Sequence, residues 1–211
     1  MADPAARRRP NVVALVLLGV VALGLIAVVA GLAGGGDDDD TASAGGQTRD
    51  VAVRGDALAA LEDPADDPAV GELAPVVTGE TFDGEALTIA GDGPAVVVFL
   101  AHWCPHCQRE VPVLVDHFEE AGMPEDVDVF AITTSVDPSA PNYPPSEWLE
   151  RERWDIPTLY DDEAGSAARA FGLSGFPYFV AIDADGNVVA RASGELEPPQ
   201  FEALLDAARG G

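Results

Sequence analysis

Cys104 and Cys107 are the only cysteines in 211 residues, and they stand three apart in the run AHWCPHCQREVP, residues 101–112. Such a pair can be a structural staple, half of a metal site, or a couple that cycles between dithiol and disulfide. A staple closing so short a loop removes little entropy from the unfolded chain, so architecture is a poor reason for it. A lone C-x-x-C supplies two ligands where a tetrahedral metal site needs four. His102, His106 and His117 are the only other soft ligands and all precede residue 118, so no metal is expected. A haem attachment site would carry His directly after the second cysteine, where this chain has Gln108.

The redox reading has local physical support. Pro105 suits the first position of a helix, where its missing N–H is no loss and its φ is already set. Cys104 then sits at the N-cap, under the positive end of the helix dipole, which stabilises a thiolate. Residues three apart at a helix start have Cα atoms roughly 5–6 Å apart, inside the disulfide range. Cys104 is therefore expected as the exposed attacking sulfur and Cys107 as the more buried resolving one. His106, between them, is expected to stabilise the thiolate further, and Trp103 to pack beside the site and shield it.

The surrounding elements must hold this pair in place. PAVVVFLA, residues 94–101, is a β-branched and apolar run that suits a strand buried on both faces. After it, Cys107, Val111, Leu114 and Phe118 recur on one face of an amphipathic helix. DVDVFAITT, residues 126–134, predicts a second buried strand, followed by the irregular Pro-rich SVDPSAPNYPPSEW. Residues 162–171 predict a helix stopped by Gly172. YFVAIDADGNVVAR predicts an antiparallel hairpin, and FEALLDAARGG a closing amphipathic helix. Upstream, TFDGEALTIAG has a hairpin turn at Asp83-Gly84. The order β–α–β–α–β–β–α implies an α/β domain with a central mixed sheet and helices on both faces.

Before residue 70 the texture differs. Residues 11–33 carry no charge, follow Arg7, Arg8 and Arg9, and precede Asp37 to Asp40. A helix of about 20 apolar residues spans a bilayer core, and the positive-inside bias keeps residues 1–10 as a cytoplasmic basic tail. Ala42-Ser43-Ala44 offers a competing reading as a signal-peptide cleavage site, but four aspartates separate it from an apolar run longer than the usual h-region. The uncleaved transmembrane anchor is favoured, which puts the rest of the chain outside the cytoplasm. Residues 34–69 are rich in Gly, Ala, Asp and Pro and predict a flexible acidic linker, with a short helix allowed near Ala57 to Leu61. The domain is then 70–211. A formal charge of -26 argues against nucleic acid as a partner, because the phosphate term would be repulsive.

WCPHC, between a buried strand and an amphipathic helix, resembles the active site of the thioredoxin-like superfamily. Gly175-Phe176-Pro177 resembles that fold's cis-proline loop, in which the backbone of the residue before proline, here Phe176, pairs with the substrate chain. The anchor, the early hairpin and CQREVP resemble the extracytoplasmic TlpA-like branch. There Glu110 matches a carboxylate that tunes the cysteines, and Pro112 a proline that kinks the helix. The resemblance implies a thioredoxin-like three-layer sandwich with an N-terminal hairpin extension, preceded by one transmembrane helix. Two departures stand out. Val98 occupies the place of a buried aspartate six residues before the first cysteine, and Pro105-His106 resembles the oxidising periplasmic branch. A peroxiredoxin would carry Thr where Ala101 stands.

The implied activity is thiol–disulfide exchange on extracytoplasmic protein disulfides, with no cofactor and with a membrane partner to supply electrons. The reductant direction, with cytochrome c maturation among its implied clients, is slightly favoured. The alternatives are an oxidant that donates disulfides to exported proteins, and a non-enzymatic client- or metal-binding module.

Overall fold

A computed structural model describes residues 46–90 and 92–210. The basic tail, the transmembrane expectation over residues 11–33 and the first part of the linker lie outside the described residues. Among the described residues no helix is long and apolar enough to cross a membrane.

In chain order the strands are β1 (Ala52–Arg54), β2 (Val76–Glu80), β3 (Ala86–Ile89), β4 (Ala95–Leu100), β5 (Asp128–Thr133), β6 (Thr158–Tyr160), β7 (Tyr178–Ile182) and β8 (Val188–Ser193). The helices are α1 (Pro105–Ala121), α2 (Pro145–Arg151), α3 (Ser166–Ala170) and α4 (Pro198–Arg209). The central sheet has the order β6-β5-β4-β7-β8. Strand β4 runs parallel to β5 and antiparallel to β7, so the sheet is mixed as expected.

All six residues of β4 are buried, and their alternation feeds two cores. Val96, Val98 and Leu100 face a layer built on Cys107, Val111 and Leu114 of α1, Trp148 of α2 and Phe201 of α4. Val97 and Phe99 face the opposite layer, with Phe171, Tyr178, Val77 and Ile89. A continuous apolar strand is thus the one element that both layers require.

The hairpin extension forms as expected, with Val77 opposite Ile89 and Glu80 opposite Ala86, in a three-stranded sheet whose third member, β1, comes from the expected linker. Other expectations change. Over its described part that linker is no tether. Leu58 and Leu61 are buried, and their N–H groups donate to the carbonyls of Ala170 and Gly172, so no helix forms there. Asp67, in the stretch expected to be a flexible acidic linker, pairs with Arg191, both side chains being buried. Helix α3 is shorter than residues 162–171, because the Asp161 side chain accepts from the N–H groups of Ala167 and Ala168 and the Asp162 side chain from that of Ser166. Those carboxylates terminate the helix at its N-terminus instead of joining it. The Pro-rich stretch also holds structure: Pro144 caps α2, Pro145 opens it, and β6 follows.

Candidate active site

The helix that carries the cysteines starts where its proline allows. Cys104 is the N-cap of α1 with extended backbone, Pro105 is the first helical residue, and the Gln108 N–H donates to the Cys104 carbonyl at 3.1 Å. Pro112 lies inside the same helix, where it cannot donate to the carbonyl of Gln108. Both cysteines are thiols.

The two sulfurs have unequal surroundings. Cys107 is fully buried, and its Sγ accepts from the Ala101 N–H at 3.5 Å. Burial pushes its thiol well above the ordinary range, with smaller upward contributions from Cys104 and Glu110. Cys104 is less exposed than expected, at 6%. Its Sγ lies 4.0 Å from the Phe176 carbonyl oxygen, and the Trp103 and Phe176 rings meet edge to face with centroids 5.8 Å apart. The Phe176–Pro177 bond is cis. A Cβ on Gly175 would stand 2.7 Å from Ser193 Oγ, so the loop approaches β8 as closely as glycine permits. Trp103, Cys104 and the Gly175–Pro177 loop therefore form one surface, with Cys107 beneath it.

Glu110 follows Cys107 by one helical turn and is only 1% exposed. Its Oε2 accepts from the Leu196 N–H at 3.0 Å, while Oε1 is buried with no hydrogen-bond partner among the described residues. Burial pushes this carboxyl up to about 7; the Leu196 N–H opposes the shift and nearby Glu195 adds to it. A carboxyl poised there can give or take a proton near neutral pH.

His106 is not committed to the sulfur. Its Nδ1 lies 2.6 Å from Glu195 Oε1, and Arg109 reaches the same carboxylate through Nε at 3.1 Å and Nη2 at 2.5 Å. Arg109 first, and then His106, hold the Glu195 carboxyl down at about 2.

Residues outside the motif complete the site. His102 is buried, with Nδ1 2.7 Å from the Pro141 carbonyl and Nε2 accepting from the Asp137 N–H at 3.2 Å. Trp103 Nε1 donates to the Ser135 carbonyl at 2.7 Å. Together they moor the stretch between β5 and α2 to the segment just before Cys104. Arg109, Glu195 and this mooring role of His102 were not foreseen. Their partners lie dozens of residues away, and no spacing in the sequence signals them.

Residues 69–205 match the Redoxin family. Nucleoredoxin of Bos taurus is 31% identical over 100 residues, which cover 45% of this chain and 21% of that protein. The methylamine utilization protein MauD of Methylophilus methylotrophus is 28% identical over 128 residues, 59% of this chain and 56% of that protein. The chain thus spans well under two thirds of either relative. Among solved structures, a DsbF homologue from Corynebacterium diphtheriae superposes with a TM-score of 0.55 at 17% identity, covering 71% of this chain and 99% of that one. At that identity the likeness speaks for the thioredoxin-like fold.

Proposed function

This chain belongs to the Redoxin family, and on that premise we propose that it is a thiol–disulfide oxidoreductase of extracytoplasmic proteins, held to the membrane by residues 11–33 and working as a reductant. The observation that carries the reading is the asymmetry of the pair. Cys104 lies at a helix N-cap against the Phe176 carbonyl, while Cys107 is sunk beneath it one turn from a buried carboxyl.

The reaction follows from that asymmetry. The Cys104 thiolate attacks one sulfur of a substrate disulfide, the substrate S–S bond breaks, and the departing substrate thiolate takes a proton. A mixed disulfide joins Cys104 to the client, whose backbone lies along Phe176 and Pro177. Cys107 must then lose a proton that its burial holds tightly, and the Glu110 carboxylate is the acceptor. The Cys107 thiolate attacks Cys104 Sγ, a 104–107 disulfide forms, and the client leaves with its second thiol. Two electrons pass from the dithiol to the client. A membrane partner outside this chain returns them.

The reductant direction draws support from His106. A cation held close to the attacking thiolate stabilises the reduced form and makes a strong oxidant. Here the Nδ1 of that histidine is engaged by Glu195 instead.

The test uses the full-length chain in detergent. Cys107→Ser should accumulate mixed disulfides through Cys104, visible on a non-reducing gel after acid trapping, and Cys104→Ser should abolish them. A glutathione titration of the wild type should give a potential below roughly -250 mV, in the range of reductants. A value near or above roughly -180 mV would make it a disulfide donor. If Cys104→Ser keeps full biological activity, the protein is a binding module and the catalytic reading is wrong.

A further inference from the structure

Four successive residues after the core of β8 each touch a different part of the site. Ser193 abuts Gly175, and the Gly194 N–H donates to the Pro177 carbonyl at 2.9 Å. Glu195 takes His106 and Arg109, and the Leu196 N–H donates to Glu110. One short loop thus joins the proline loop to the first two turns of α1, and Glu195 is its charged member.

The chemistry of Glu195 is specific. Nδ1 of an imidazole offers one hydrogen or one lone pair. At 2.6 Å from a carboxylate oxygen it is the donor, so Arg109 Nη2, 2.9 Å from the same Nδ1, is a charged neighbour and not its partner. Arg109 meets both oxygens of the carboxylate, with Nε 3.1 Å from each. Glu195 holds the guanidinium above its ordinary range, with a smaller contribution in the same direction from Cys104. His106 and Arg109 both lie in the first two turns of α1, the helix that Cys104 caps, so the carboxylate and a Cys104 thiolate compete for the same side chains.

Resting on the dithiol reading above, we infer that Glu195 is a positioning residue for the exchange reaction: its carboxylate holds His106 and Arg109 in a closed charge triad, so that neither neutralises the Cys104 thiolate and the couple stays reducing. Glu195 is not catalytic in the sense of touching the reacting sulfurs. It acts through His106 and Arg109 and, by its own charge, on Glu110. The titratable groups that face the triad are Cys104, toward Arg109, and Glu110, toward Glu195.

The experiment compares full-length wild type with Glu195→Gln in two assays. One is the equilibrium with reduced and oxidised glutathione; the other is the alkylation rate of Cys104 by iodoacetamide at a fixed, mildly acidic pH, read by mass spectrometry. Removing one nearby surface charge should raise the alkylation rate about three- to tenfold and shift the equilibrium toward the dithiol by a similar factor. Glu195→Asp should restore most of the wild-type behaviour. The same Glu195→Gln change in a His106→Gln, Arg109→Gln background should have a much smaller effect on both readouts.

An unchanged rate and equilibrium in Glu195→Gln overturns the inference. So does an effect of equal size in the background lacking both side chains, because they are then not the route. A wild-type chain with no reversible couple at all defeats the oxidoreductase reading itself, which the wild-type titration alone reports.

Discussion

Replacing Glu110 by Gln isolates the cost of burying a carboxyl one turn from Cys107. The group is almost wholly shielded, and folding raises its carboxyl from 4.5 to about 7, mainly through burial. An acid raised by folding binds its proton more tightly in the folded state than in the unfolded one. Stability that is present below the unfolded value is therefore lost as pH climbs through the folded value. At 1.36 kcal/mol per unit, the loss from about pH 4.5 to about pH 8.5 amounts to about 3 kcal/mol. Gln cannot ionise, so the stability difference between wild type and Glu110→Gln isolates this contribution while the histidines cancel. The assay is urea unfolding of both proteins under reductant across that pH range. Thermal unfolding should show the wild type losing roughly 6–12 °C relative to the variant in a domain of this size. A stability difference that stays constant within about 0.5 kcal/mol over the whole range would refute the claim that folding raises the Glu110 carboxyl.

Two further predictions concern the segment that holds the fold's early residues in place. Asp67→Ala leaves the Arg191 guanidinium buried without its carboxylate, and breaking such a pair from one side costs about 3–5 kcal/mol. Limited proteolysis of that variant should cut between residues 56 and 68 well before the wild type is cut anywhere in the domain; equal protection would show that the ion pair does not moor the segment. Gly172→Ala should destabilise by about 2 kcal/mol or more in urea unfolding. Gly172 adopts φ +67, and a Cβ there would lie 2.3 Å from the Ala59 carbonyl oxygen. A loss below about 0.5 kcal/mol would mean that the Ala59 backbone moves aside freely.

The cysteine helix was legible because everything that defines it is local. Pro105 fixes the helix start, the four- and three-residue spacings give its buried face, and the apolar run before it can only be an interior strand. The hairpins were legible for the same reason, through turn residues and alternation. Partnerships across long separations were not. Glu195 is one of 37 acidic residues, and nothing near it in sequence distinguishes it from its solvated kin. Its significance comes from a β8–α4 loop that returns to α1 after 89 residues. Asp67 escaped notice likewise, because its partner Arg191 is 124 residues away. A strand of three residues such as β6 is too short to show a period, and adjacent prolines concealed the start of α2.

Glu110 is hard to justify as a structural residue. Its Oε2 is satisfied by Leu196, but Oε1 is buried without a partner among the described residues, and such an atom costs about 1–3 kcal/mol. An apolar side chain of similar size on that face would join Cys107, Val111 and Leu114 in the core without either penalty. The sheet opposite gives no help with protons, since Val98 stands where the family resemblance implies an aspartate. The demand nonetheless exists, because burial makes the Cys107 thiol reluctant to ionise and it must ionise to resolve a mixed disulfide. A carboxyl held at about 7 is half ionised near neutral pH, which in the proposed mechanism lets it take that proton and return it in the reverse direction. The instability of Glu110 and its fitness as a base have one cause, the apolar layer that Val98, Val111 and Leu114 build around Cys107.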